Sequence, residues 1–178
     1  MSKLSDEMAW MMPKEAFEWI ENNIPFGSKI LEFGSGKGSE RLAVNYTLFS
    51  LEHNPEWINK YNSNDIYAPI KFFEQDSQRN GLGWYETEVL KEHLLEENFA
   101  LIIIDGPPAS IGREGIMDHL WILDKSEYIL IDDLQREKEY DLSQMLSKEC
   151  RLKCLHYYRD EGEHAERHFG VFVREQHV

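Results

Sequence analysis

Lys29-Ile30-Leu31-Glu32-Phe33-Gly34-Ser35-Gly36-Lys37-Gly38-Ser39-Glu40 sets three glycines at alternate positions behind a short apolar run, and Arg41, Leu42, Ala43 and Val44 follow at helical spacing. A strand that breaks into glycines and feeds a helix narrows what the chain can be. Glycine is needed where the backbone turns with positive φ, or where a ligand lies so close that a Cβ would collide. The helix that follows offers free N–H groups and the positive end of its dipole. The stretch therefore predicts a nucleotide or nucleoside cradle. A dinucleotide fold wants Gly-x-Gly-x-x-Gly, but the third glycine here is Gly38 and the position that pattern needs is Ser39. Glu32, an acid inside a buried strand, is a second departure from an ordinary apolar strand.

The rest of the chain alternates strand and helix. Pro13 suits a first helical turn, with Phe17, Ile20 and Ile24 on one face. The glycine strand leads into a helix from about Ser39 to Asn45. Thr47 to Leu51 predicts a second strand closed by Glu52-His53, and Asn54-Pro55 a helix start carrying Trp57, Ile58 and Tyr61. Ile70-Lys71-Phe72-Phe73 predicts the third strand, and Val89, Leu90 and Leu94 the next helix. Ala100 to Ile104 is the most apolar run, as in a central parallel strand covered on both faces. A helix with Ile116, Leu120 and Leu123 precedes a fifth strand, Tyr128 to Ile131, closed by Asp132-Asp133. Leu142, Met145 and Leu146 mark the last helix, and Arg151 to Tyr158 with Phe169 to Val173 a closing hairpin. The expected fold is α/β: a three-layer sandwich on a mostly parallel seven-stranded sheet whose last strand is antiparallel. At 178 residues it reads as a single domain, 1–178, with 1–12 a loosely held lead-in.

Glu32-Phe33-Gly34-Ser35-Gly36-Lys37-Gly38 resembles the first motif of class I S-adenosylmethionine-dependent methyltransferases, acid-x-Gly-x-Gly-x-Gly. The resemblance runs on through Glu52, placed where that family's acid accepts the ribose hydroxyls, and through Asp76-Ser77 as its adenine-edge contact. Ile103-Ile104-Asp105-Gly106-Pro107-Pro108 matches its fourth-strand motif, and the hairpin its reversed last strand. It implies S-adenosylmethionine as cofactor, held by Glu32, Phe33, Gly34, Ser35, Gly36, Gly38, Glu52, His53, Asp76, Ser77 and Asp105. Within the class the chain looks most like small-molecule O-methyltransferases, several of which use a divalent metal such as Mg²⁺. Asp105, Asp132 and Asp133 are the expected ligands. Neighbouring strands would stand Asp105 and Asp132 about 4.8 Å apart, and converging carboxylates repel one another unless a cation or proton intervenes.

Methyl transfer then needs an oriented, deprotonated nucleophile. Asp105 and His164 are the expected catalytic groups, with His119 and His168 as further bases. Trp10, Trp84 and Trp121 read as core or anchoring residues rather than pocket walls. The net charge of −14 argues against nucleic acid and anionic membranes as partners and leaves a small-molecule acceptor. Cys150 and Cys154 lack metal-site spacing, and no apolar run reaches signal or membrane length, so a cytoplasmic protein is expected. The alternatives are an NAD-dependent oxidoreductase and a catalytically silent S-adenosylmethionine-binding protein.

Overall fold

The structure is a computed structural model that describes residues 11–75, 81–160 and 167–175. In chain order its elements are α1 (Lys14–Asn23), β1 (Lys29–Phe33), α2 (Lys37–Asn45), β2 (Thr47–Glu52), β3 (Asn64–Tyr67), β4 (Ile70–Phe72), β5 (Gly83–Tyr85), α3 (Thr87–Leu94), β6 (Phe99–Ile104), α4 (Leu120–Leu123), β7 (Ser126–Ile131), α5 (Glu137–Glu149), β8 (Leu152–Asp160) and β9 (Arg167–Arg174). Seven strands form one sheet in the order β3-β2-β1-β6-β7-β9-β8. The β3, β2, β1, β6 and β7 neighbours pair in parallel, and β9 runs antiparallel to both β7 and β8. The expected fold class is the observed one.

Successive side chains of a strand point to opposite faces, and here both faces are covered. Ile30, Leu48, Leu101, Ile103 and Leu130 pack on Phe17 and Ile20 of α1 and Leu42 of α2. Leu31, Phe33, Leu51, Ile102, Ile104, Ile129 and Ile131 pack with Leu90 and Leu94 of α3, Ile122 of α4, and Leu142 and Leu146 of α5. That is why 101–104 is continuously apolar. Each such buried side chain stabilises the sheet by roughly 1.5–3 kcal/mol. Parallel strands with crossovers also bring the ends of β1, β2, β6 and β7 to one edge of the sheet, where a cleft opens.

Three local expectations are corrected. The third sheet strand is Asn64–Tyr67, which buries only Ile66, rather than 70–73. Ile70–Phe72 instead pairs antiparallel with Gly83–Tyr85, in a separate ribbon that sends Trp84 and Tyr85 into the core and leaves Phe72 68% exposed. Apolar content marked 70–73 as a strand but carried no information about its partner. Asn54 caps Glu56 N–H at 3.1 Å as expected, but only a single 3₁₀ turn, Pro55–Trp57, follows, and Asn59 then leaves it with φ +59. The helix expected around Ile116 is 3₁₀ over Glu114–His119 before the single turn of α4. There Gly115 lies so close to Trp84 that an added Cβ would stand 2.3 Å from the Trp84 Cβ.

Trp84 is thus a core residue, and Trp121 is a half-buried one packed on the same cluster. Trp10 lies outside the described residues. Cys150 is buried and Cys154 exposed, both as free thiols. Among the described residues no helix is long and apolar enough to cross a membrane.

Candidate functional site

The cleft holds about 550 Å³, within the size range of small-ligand sites. Its floor is the glycine turn. Gly34 has φ +92 and donates its N–H to Leu51 O at 2.8 Å. A Cβ there would stand 3.3 Å from Gly106 Cα, and one on Gly106 would stand 2.8 Å from Gly34 N. The loops after β1 and β6 therefore meet backbone to backbone. The Gly106–Pro107 peptide bond is cis. Gly38 serves packing instead, since its Cβ would lie 3.0 Å from the Phe17 ring.

Two acids flank the turn. Glu52, at the end of β2 and nearly fully buried, accepts Ser35 N–H at 2.9 Å and Asn54 N–H at 2.6 Å, with His53 Nδ1 2.9 Å from its Oε1. Glu32 lies beneath the turn. Its Oε1 accepts the hydroxyls of Ser39 and, at 2.5 Å, Ser50. Ser39 Oγ in turn accepts Gly36 N–H at 2.9 Å, so one hydroxyl caps α2 and anchors the acid. Burial pushes the Glu32 carboxyl up to about 7, against the pull of both hydroxyls. Ser35 Oγ is buried without a hydrogen-bond partner, at the cleft wall.

Across the cleft, Asp105 and Asp133 of the wall and the fully buried Asp132, which does not line it, bring carboxylate oxygens within 4.8 Å of one another. Asp133 holds φ +64, a left-handed conformation uncommon outside glycine. The cation among these acids is Arg113, 4% exposed. Its guanidinium donates to Asp133 Oδ2 at 2.8 Å, Asp105 Oδ1 at 3.3 Å, and the carbonyls of Asp105 at 2.6 Å and Asp132 at 3.0 Å. Arg136 reaches Asp133 at 2.8 Å, and Arg167 reaches Asp132 Oδ2 at 3.3 Å and Met11 O at 2.9 Å. Every carboxylate of the group has a guanidinium partner, while Asp132 Oδ1 is buried without one. Burial, then the neighbouring Asp132 charge, raises the Asp105 carboxyl well above its usual range. Burial and then Asp133 push Asp132 up to about 6. A hard divalent cation takes about six oxygen ligands. One oxygen of each carboxylate already faces a fixed guanidinium, so a metal would have to displace a resident cation from every acid of the group, and the residues do not fit one.

Glu32, Gly34, Ser35, Gly36, Gly38, Glu52, His53, Asp105 and Asp133 all line the one cleft. Phe33 does not: its ring turns into the core, 5.4 Å from Trp84. Asp76, Ser77 and His164 lie outside the described residues. His119 is satisfied on both nitrogens, by Thr87 Oγ1 and Gly115 O, each at 2.9 Å, and is absent from the cleft wall. His168 Nδ1 meets Tyr157 OH at 3.1 Å and is likewise no part of the wall. Sequence reasoning missed Trp57, Arg113, Arg136, Arg167 and the Met11-Met12 rim. The one available signal for Arg113 was a lone cation in the glycine-flanked loop Ile111-Gly112-Arg113-Glu114-Gly115.

No family model matches the chain, and no curated protein does. Solved structures do. An rRNA methylase from Streptococcus thermophilus is 14% identical at a TM-score of 0.60, with 91% of this chain and 95% of that one covered. The human methyltransferase 10 domain containing protein gives 12%, 0.58, 91% and 81%. Magnesium protoporphyrin IX methyltransferase from Synechocystis PCC 6803, with bound SAM, gives 12%, 0.55, 97% and 81%. Those proteins are described as acting on acceptors as unlike as rRNA and a porphyrin, so the shared architecture does not select the small-molecule O-methyltransferases expected from sequence. The chain has the Rossmann-like fold of methyltransferases.

Proposed function

We propose that the cleft binds S-adenosylmethionine and that the chain transfers its methyl group to a small acceptor through a hydroxyl oxygen. The observation that carries this is the pair of buried acids, Glu32 and Glu52, on either side of one glycine turn. A net cation that joins a sulfonium to an amino-acid end and a ribose suits such a wall. Glu52 has lone pairs left for two ribose hydroxyls, and the unpartnered Ser35 Oγ and the close-packed Gly34 suit a polar tail pressed against the backbone. His53, Asn54 and Trp57 wall the base end. The cofactor would supply a sulfonium methyl whose carbon bonds to the acceptor oxygen while the electrons of the broken C–S bond go to sulfur. This chain's part is to orient the acceptor and take its proton. Asp105 is the base we assign, because its side chain is the more exposed of the two cluster acids that line the cleft, 30% against 7% for Asp133. His164 is the second candidate.

A small acceptor is preferred because a chain of net charge −14 is poorly suited to neutralise phosphates. RNA is the second reading, favoured by the likeness to the rRNA methylase. Equilibrium dialysis should show S-adenosylmethionine retained and NAD not. Glu52→Gln should weaken retention by about 10- to 100-fold, the loss of roughly 1.5–3 kcal/mol of charged hydrogen bonding. Turnover on phenols, sugars, carboxylates and total RNA then separates the acceptors. Retention of NAD alone would overturn the reading, and retention without turnover on any acceptor would leave a silent binder.

A further inference from the structure

Three acids at the ends of two adjacent parallel strands invite a metal, yet the cluster is built around a side chain. We propose that Arg113 holds the place of a divalent cation: its guanidinium is the resident counter-charge that fixes Asp105 and Asp133 in the cleft, and methyl transfer here proceeds without metal. The proposal rests on the methyl-transfer reading of the cleft and names a positioning residue for it.

Arg113 is planted rather than floating. Besides the two carboxylates, it donates to the carbonyls of Asp105 and Asp132, the residues that follow β6 and β7, so the fork spans the gap between both strand ends. Arginine suits this because its planar fork reaches several oxygens in fixed directions and is weakly hydrated. A metal instead needs the oxygens turned toward one point. Here Asp133 Oδ2 is shared between Arg113 and Arg136, Asp105 Oδ1 faces Arg113, and Asp132 Oδ2 faces Arg167. A divalent ion would also sit within a few ångströms of a guanidinium that is 4% exposed and fixed by four oxygens. The left-handed backbone of Asp133 accompanies a carboxylate pinned between two arginines.

The test is Mn²⁺ titration of the full chain, read from the electron paramagnetic resonance of the free ion, so it depends on neither activity nor the acceptor. Wild type and Asp105→Asn should show the same weak affinity. Arg113→Ala should bind Mn²⁺ at least about tenfold more tightly, the scale on which neighbouring groups alter metal affinity. Arg113→Ala combined with Asp105→Asn should lose that gain, free guanidinium should compete with Mn²⁺ in Arg113→Ala, and Arg113→Lys should restore exclusion. A folded Arg113→Ala that gains no affinity overturns the proposal. If Arg113→Ala does not fold, the wild-type comparison still decides, since a wild-type affinity that drops on Asp105→Asn overturns it. Dialysis against S-adenosylmethionine tests the methyl-transfer reading separately.

Discussion

At the glycine end of the cleft, Glu32 is held by two neutral hydroxyls on one oxygen, from Ser39 and Ser50, residues 7 and 18 positions away. At the far end, Asp105, Asp132 and Asp133 are held by three guanidiniums, and Arg113 comes to Asp133 from 20 positions away. Both ends bury carboxylates in the same cleft, and they solve the desolvation problem differently. Neutral donors leave a lone acid free to take a proton near neutrality, so Glu32 answers to its own environment. Crowded acids raise one another's pKa, and the fixed positive charge of the guanidiniums offsets that repulsion. One end is a lone acid among neutral donors, and the other is a cluster braced by guanidiniums.

The comparison breaks most visibly at Arg113. Arg113→Ala strands Asp105 beside a partly relieved Asp133, and we expect a loss on the order of 3–5 kcal/mol, since removing one partner of a buried pair leaves uncompensated charge. Urea unfolding at pH 7 measures it, and a cost below about 1 kcal/mol would show that the brace is elsewhere.

Glu32 gives the next largest effect. Its folded pKa is raised above the ordinary carboxyl value of 4.5. Its contribution to stability is therefore present below that value and is lost as pH rises to about 7, by on the order of 3 kcal/mol. Glu32→Gln should flatten that share of the slope in a urea-midpoint series from acid to neutral pH. Asp132, pushed up to about 6, has the same sign and should persist in the variant. An unchanged slope would mean that Glu32 is ionised throughout.

Ser50→Ala is the smallest of the three. It removes one donor to Glu32 and should cost roughly 2 kcal/mol where the acid is ionised and about 1 kcal/mol where it is protonated. The same denaturation series reads the difference. Equal costs at both ends of the pH range would contradict a titrating acid.

The same contrast separates what was legible in the sequence from what was not. Glu32, the glycines and Glu52 lie within about one βαβ unit, and short, mostly apolar runs exposed β1, β2, β6 and β7. The braced end depends on contacts between elements. Asp105, Asp132 and Asp133 could be read at strand ends, but Arg113 sits in a loop with no period, and its partners are set by how β6 and β7 pair. The third strand failed for a related reason: Asn64–Tyr67 is short, polar and buries one residue, whereas the more apolar Ile70–Phe72 finds its partner in β5. Phe33, expected beside the cofactor, turns its ring inward onto Trp84 and does not line the cleft.

The meeting of Gly34 and Gly106 leaves the cleft with a floor that no side chain can tune. Its width is set by two bare backbones on adjacent strands, and a substitution at either would have to push β1 and β6 apart. Change in what the cleft accepts is thereby channelled to the rim, to Pro108, Ala109 and Ser110, which line the cleft without belonging to the core or to the acid cluster's ion pairs. The floor is fixed by geometry, and the rim is open to change.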